Sequence, residues 1–287
     1  MKDSLAVLPW PMRRKAESGD RQAASLEHGR AMAKPYTQHL YRYPKYYDVA
    51  FSFRNILQEV DFFEHAIEKF SRIPVKRVFE LASGTSPYLE EWHRRGYEYA
   101  GLDLSREMLA YSRQKAQRNG IEARLYRANA NRFWLGALRV DLAYVLLGSL
   151  FVSSNAEFFR HLDCVARILK NGGLYLLDGV VWFNILSDNA QDWTISRDGI
   201  TVEASWRFEV TDKVAQTFRD HGIVQVHDHG KRIRLTASEV GKCFFPQEFL
   251  YLVQYHNRFE FIGWFEDFNL KKPATGKSRQ IVILRKH

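Results

Sequence analysis

Two short hydrophobic runs, each closing on or beside an acid and separated by a single helix, constrain this chain more than any other feature. The first, Arg77 to Ala82, carries Glu80 and runs straight into the tight turn Ser83-Gly84-Thr85-Ser86. The second, Tyr97 to Asp103, ends on Asp103, about 20 residues further along. A strand, a glycine-containing turn, a helix and a second strand closing on an acid make the first crossover of a nucleotide-binding parallel sheet. The alternation then continues: a helix from Ser105 to about Asn119, a strand from Ala123 to Ala128, and another from Val140 to Leu147. Near-continuous apolar runs such as the first and last of these belong to parallel strands covered on both faces. The fold class expected is α/β, a Rossmann-like doubly wound seven-stranded mostly parallel sheet.

The helices around this frame are marked in the sequence. Leu57, Val60, Phe63, Ile67 and Phe70 recur every three to four residues and predict an amphipathic helix over 55–71, closed by Pro74. Ser154-x-x-Glu157 forms a capping box ahead of the stripe Phe158, Phe159, Leu162, Val165, Ala166, Leu169, which Lys170 and Gly172 end before a strand from Leu174 to Asp178. From Ile200 to Thr211 the period changes to two, with Ile200, Val202, Ala204, Trp206, Phe208 and Val210 on one face. Two further extended segments, about 214–227 and 232–236, follow it and predict an inserted antiparallel meander. A helix over 246–255 and strands 259–265 and 280–285 complete the sheet. The resulting division is a flexible tail over 1–34, a core built from 35–184 and 245–287, and the antiparallel insertion 185–244 as an acceptor-side lid or subunit contact.

The turn discriminates between cofactors. A dinucleotide site needs Gly-x-Gly-x-x-Gly so that a pyrophosphate can rest on backbone N–H groups. Here only Gly84 is present, and Glu80 would repel a pyrophosphate while favouring a cationic ammonium or sulfonium.

At this point the chain resembles the class I S-adenosylmethionine-dependent methyltransferases, closest in layout to bacterial small-molecule N-methyltransferases. The family's first motif, acid-x-Gly-x-Gly-x-Gly, stands here as Glu80-x-Ala82-x-Gly84-x-Ser86, followed by Gly101-Leu102-Asp103-Leu104-Ser105. Tyr47-Asp48 matches the Tyr-Asp often found upstream, Ala128-Asn129-Ala130 the region near the adenine, and 162–178 ends in Lys-Asn-Gly-Gly-Leu-Tyr-Leu-Leu-Asp. The resemblance implies S-adenosyl-L-methionine held by Tyr47, Glu80, Ala82, Ser83, Gly84, Asp103, Leu104, Met108, Asn129, Ala130 and Leu147. It implies Asp103 at the ribose hydroxyls, and acceptor-facing residues around Tyr46, Tyr47 and Phe51, in Leu147-Gly148-Ser149 and after Asp178. No catalytic base is assigned. Ala82 and Ser86 replace glycines, placing side chains where backbone should approach the ligand.

Composition narrows the partners. The net charge of +9 raises a nucleic-acid substrate, but the excess is spread over tail, core and C-terminal end, and 185–250 is slightly acidic. The expected acceptor is therefore a small molecule methylated at nitrogen or oxygen; the alternatives are an RNA or protein methyltransferase and a donor-binding protein without catalysis. No apolar run is long enough to span a bilayer, and Arg13, Arg14 and Lys15 interrupt the start, so a cytoplasmic protein with reduced Cys164 and Cys243 is expected. Trp182, Phe183 and Trp193 are candidate acceptor walls. Trp206 and Phe208 are expected in the core or in a homo-oligomer contact. Asp141 is expected to be structural, His161 to lie on a helix surface, and His227 and His229, without a third ligand, to hold no metal.

Overall fold

The computed structural model describes residues 38–287 apart from 185 and 187, so the expected tail over 1–34 lies outside the described residues. The chain enters through a two-residue strand β1 (Gln38–His39), a 3₁₀ turn (Leu40–Arg42), α1 (Pro44–Ala50) and α2 (Ile56–Phe70). Then come β2 (Arg77–Leu81), α3 (Leu89–Arg94), β3 (Glu98–Asp103), α4 (Arg106–Arg118), β4 (Ala123–Arg127), β5 (Val140–Val145), α5 (Asn155–Ile168) and β6 (Leu169–Asp178). The meander is β7 (Asn189–Arg197), β8 (Ile200–Asp212), β9 (Thr217–Asp228) and β10 (Lys231–Lys242). The core resumes with α6 (Pro246–His256), β11 (Phe259–Glu266), β12 (Asn269–Pro273) and β13 (Gln280–Lys286).

The main sheet runs β12-β11-β13-β6-β5-β2-β3-β4. Strands β4, β3, β2, β5 and β6 are mutually parallel, and β13 joins β6 antiparallel. This is the doubly wound order expected, with an eighth strand, β12, added at the edge by the hairpin from β11. Every residue of β5 is buried because each face of the sheet is covered. On one side Phe79, Ala143 and Tyr175 pack with Phe158 and Leu162 of α5 and Phe249 of α6. On the other, Val78, Leu142 and Leu176 pack with Val60 and Phe63 of α2 and Trp92 of α3.

Local signals set the helix ends. Asn55 caps α2 through Oδ1, which accepts from the Gln58 amide at 3.2 Å. The buried face of α2 is Val60, Phe62, Phe63 and Ala66, whereas Leu57, placed on the stripe by its spacing, is 56% exposed. Ser154 caps α5, but the reciprocal half of the capping box is displaced by one residue: Glu157 accepts from the Ser153 amide at 2.7 Å. His161, expected on the helix surface, is fully buried and bridges the Ala130 carbonyl and the Tyr175 hydroxyl. Asp141 ties the amino-terminal edge of the sheet by accepting from the Lys76 and Arg77 amides, both at 2.9 Å.

The meander is longer than its apolar pattern suggests, and with β1 it makes a five-stranded sheet ordered β1-β10-β9-β8-β7. β1, from the far end of the sequence, lies parallel to β10. The chain leaves and re-enters the core side by side, where the Trp182 amide donates to the Phe244 carbonyl at 2.8 Å. Its inward face buries Ile200, Val202, Ala204 and Val224 against Val49 and Ala50 of α1, with Trp206 packed at its side, and Phe208 is buried with Phe218 beside Trp182. His229 occupies the β9–β10 turn at φ 46° beside Asp228 and shares no strand face with His227. Among the described residues no group of three or more His, Cys, Asp or Glu could hold a metal ion, and no helix is long and apolar enough to cross a membrane.

Candidate active site

The carboxyl ends of β2, β3, β4 and β5 face one edge of the sheet, and the turn after β2 dominates that edge. Ala82, Gly84 and Ser86 all adopt the left-handed region, at φ 51°, 51° and 50°. These are the three positions at which the resemblance places glycine. An L side chain there costs roughly 1–2 kcal/mol, so the turn is kept by its hydrogen bonds. The Ser83 amide donates to the Leu102 carbonyl at 2.9 Å and the Ser86 amide to the Ser83 carbonyl at 2.7 Å. From α4, Ser112 Oγ donates to the Gly84 carbonyl at 3.0 Å and Lys115 Nζ to the Ser86 carbonyl at 3.1 Å. Gly101 makes room for this: a Cβ there would meet Ser83 Oγ at 2.9 Å.

Asp103 joins turn and helix. One carboxylate oxygen accepts from the Gly84 amide at 2.7 Å and the other from the Ser105 amide at 2.8 Å. Burial raises its pKa, opposed by these backbone donors. Each oxygen keeps a lone pair for a further donor, the arrangement a vicinal diol requires. Leu104 follows with 61% of its surface exposed, an apolar platform beside the acid, while Met108 of α4 is buried.

Glu80 lies under the turn, 4% exposed. It accepts from the hydroxyl of Tyr99 and, at 3.3 Å, from that of Tyr144. Burial outweighs these donors and lifts its pKa to about 8. Tyr47 covers the turn from α1, its ring 3.6 Å from where a Cβ on Gly84 would stand, and burial pushes its phenol up to about 12. Asn129 is exposed, its Oδ1 accepting from the Asn131 amide. That leaves the Nδ2 donors for a ligand. Ala130 turns its carbonyl to His161. Leu147 is left-handed, φ 55°, its amide held by Asp178 at 2.8 Å. Gly148 and Gly179 touch there, since a Cβ on Gly179 would lie 2.7 Å from the Gly148 nitrogen.

Sequence reasoning noted Asp48 only as half of the Tyr-Asp pair and missed Arg54. Asp48 accepts from Thr85 Oγ1 at 2.9 Å and from Arg197 of β7 at 2.7 Å, so it joins the turn to the meander. Arg54 lies over the Tyr88 ring at 5.5 Å and donates to the Phe51 carbonyl, within electrostatic reach of Glu59 and Glu80 but without an ion pair among the described residues. Neither has a helical or strand period to announce it. Of the expected acceptor walls, Trp193 packs on Phe51 at 5.7 Å, but Trp182 packs on Phe208 at 4.2 Å and Phe183 on Trp264 at 5.3 Å. The three do not form one wall. Tyr46 is likewise directed to the meander turn, donating to Asp228 at 2.9 Å.

Residues 78–173, about a third of the chain, match a family described as the methyltransferase domain. With the strand order and the acid-turn-acid geometry, this segment is a methyltransferase domain. Among solved structures, the chain is similar to an S-adenosylmethionine-dependent methyltransferase from Clostridium acetobutylicum ATCC 824, with TM-score 0.70 and 18% identity over 84% of this chain and 96% of that one. It is also similar to the sugar N-methyltransferase KedS8 from Streptoalloteichus sp. ATCC 53650, with TM-score 0.66 and 17% identity over 94% of this chain and all (100%) of that one. The amino pentose methyltransferase CalS10 from Micromonospora echinaspora, solved with S-adenosylmethionine bound, gives TM-score 0.64 and 19% identity over 84% and 96%. At these identities the likeness is one of fold. A curated protein from Geobacillus sp. (strain WCH70), provisionally named a methyltransferase, is 24% identical over 118 residues, 41% of this chain; the match spans about half (47%) of that protein's length.

Proposed function

We propose that this chain is an enzyme that transfers the methyl group of S-adenosylmethionine to a nitrogen or oxygen of a small molecule. The observation that carries the reading is the turn after β2 closed onto Asp103, whose two oxygens are each committed to one backbone amide and each retain one free lone pair. Three further features fit this donor. Leu104 offers an uncovered apolar platform beside Asp103; Glu80 is a buried carboxyl with no ion-pair partner among the described residues, Arg54 and Lys115 acting on it only at longer range; and Arg54 is a guanidinium without an acid partner among the described residues, suited to a carboxylate. Tyr47, Ala82, Ser83, Gly84, Met108, Asn129, Ala130 and Leu147 complete the assignment. When bound, S-adenosylmethionine supplies a methyl group already activated by its sulfonium. The chain's own work is then to bind, orient and exclude water, and orientation alone can contribute about 7–11 kcal/mol.

The amine and sugar methyltransferases of similar fold favour a small acceptor, which would enter between the donor turn and residues 185–244, read here as an acceptor-side lid on the core formed by 35–184 and 245–287. Cys164 and Cys243 are both buried free thiols, in keeping with a reducing, cytosolic setting. Calorimetry with S-adenosylhomocysteine tests the donor site. Asp103→Ala removes the acceptor of two backbone donors and two ligand bonds and should weaken binding by about 1.5–3 kcal/mol, roughly tenfold to a hundredfold. Unchanged affinity would refute the assignment. A release assay over an amine and phenol panel then tests turnover, and RNA retention that collapses with salt would favour a nucleic-acid acceptor instead.

A further inference from the structure

His161 stands on α5 at a place that packing alone would give to an apolar side chain. Its companions on the buried face are Phe158, Leu162 and Val165, and it is fully buried with them. A polar ring in such surroundings costs stability unless its nitrogens are bonded, and here both are. Nδ1 lies 2.8 Å from the Ala130 carbonyl, and Nε2 lies 2.6 Å from the hydroxyl of Tyr175, itself buried on β6. A carbonyl oxygen only accepts, so Nδ1 carries the hydrogen and Nε2 accepts from Tyr175. Burial keeps the imidazole neutral by lowering its pKa to about 4. A leucine would fill the same space without these demands; what the imidazole adds is a fixed donor for one loop carbonyl.

That carbonyl belongs to the turn 129–131, which follows β4. The turn starts just past the point where the Ala128 amide donates to the Asp103 carbonyl at 3.1 Å. The Ala130 carbonyl and the Asn131 amide are the two ends of one planar peptide unit, so fixing the first fixes the second. The Asn131 amide in turn donates to Asn129 Oδ1 at 2.8 Å. His161 thereby sets the orientation of the Asn129 side chain, whose Nδ2 has no partner among the described residues. The same helix grips the turn a second time, since Asn131 Nδ2 donates to Glu157 at 3.2 Å and to the Phe151 carbonyl at 2.5 Å. Glu157 and His161 are one helical turn apart and share a face of α5. A single donor held in place can tell two purines apart. Adenine has an acceptor at N1, whereas hypoxanthine carries a hydrogen there and would set donor against donor.

We propose that His161 is a positioning residue for the base of the methyl donor: by holding the Ala130 carbonyl it keeps Asn129 Nδ2 in the orientation that selects adenine over hypoxanthine. This rests on the methyltransferase reading above, in which Asn129 lies beside the adenine, and adds to it a buried residue that acts only through the turn. Without the imidazole the Ala130 carbonyl loses its partner inside the core, and the peptide unit rotates toward water to recover one. The Asn131 amide moves with it and releases Asn129.

The probes are S-adenosylhomocysteine and S-inosylhomocysteine, which differ only at the edge of the base, titrated calorimetrically into the full chain. The wild type should bind the adenine ligand about tenfold or more tightly, because the other leaves a donor facing a donor. In His161→Phe, which fills the space but bonds nothing, the preference should fall to about twofold or less, chiefly through weaker binding of S-adenosylhomocysteine. His161→Asn places an amide nitrogen where Nδ1 stood and should restore most of the preference. His161→Gln, whose amide reaches toward Tyr175 instead, should not. The contrast between these two polar variants carries the test even if the phenylalanine variant does not fold. A preference unchanged in His161→Phe, or equal in the Asn and Gln variants, marks His161 as a brace of the core and overturns the proposal. Equal binding of both ligands by the wild type overturns it too and leaves the donor site standing, whereas binding of neither overturns the methyltransferase reading itself.

Discussion

Glu80 illustrates how far one buried carboxyl can shape a site. Its pKa rises from an ordinary 4.5 to about 8 because burial penalises the charge more than Tyr99 and Tyr144 stabilise it. Between those two values the native chain keeps a proton that the unfolded chain gives up. Stability from this group is therefore full below about pH 4.5, falls as pH rises toward 8 and is level above that. Glu80→Gln should flatten the slope and leave the ligand-free variant more stable than wild type at pH 9, read from urea midpoints over a pH series. Parallel curves for the two proteins would show that burial of Glu80 is not what sets its titration. The same burial makes a cation the natural partner, since a positive charge at this point restores the carboxylate form. Ala82 and Ser86 show the opposite economy, tolerating left-handed backbone without the glycine that would relieve it.

Elements are joined at this edge by Arg279, at the entry to β13. It donates to Asp178 at the end of β6, at 2.9 Å through Nε, and to Glu59 of α2 at 2.9 Å, and it lies 4.5 Å from the centre of the Phe268 ring. Asp178 and Glu59 are 1% and 4% exposed, so a single guanidinium balances two buried carboxylates on different elements. Arg279→Met should cost about 3–5 kcal/mol, because it leaves both acids uncompensated, and guanidinium denaturation would measure the loss. A loss below about 1 kcal/mol would mean that the pair is solvated in the folded chain. Since Asp178 also holds the Leu147 amide, the substitution should loosen the turn after β5.

At the scale of the whole molecule, Asp48 couples the meander to the turn after β2 through Arg197 and Thr85. Arg197 is 39% exposed on its side chain, so the ion pair contributes no more than about 1 kcal/mol. Arg197→Ala should leave the melting temperature nearly unchanged while the amides of 83–86 exchange hydrogen several-fold faster. Unchanged exchange would separate the two sheets mechanically. The β1–β10 pairing adds a second tie, bringing the segment just before α1 onto the far edge of the meander.

Much of this fold was legible in the residues, and for a physical reason. Parallel strands buried on both faces must be apolar throughout, so β2, β5 and the cap at Ser154 announce themselves locally, as does the acid-turn-acid crossover from Glu80 to Asp103. Period-two alternation in the same way exposed β8, though it left β7 unread because Asn189–Arg197 mixes polar residues into both faces. What the sequence could not supply were pairings made across the chain: the packing of His161 inside, the diversion of Trp182 and Tyr46 from an acceptor wall, and the meeting of Asp48 with Arg197. His161 and Ala130 lie 31 positions apart, and only the docking of α5 beside the turn after β4 brings them together. Burial periodicity is a local property that a sequence carries; the neighbours of a polar side chain depend on register and docking, which only the assembled tertiary structure fixes.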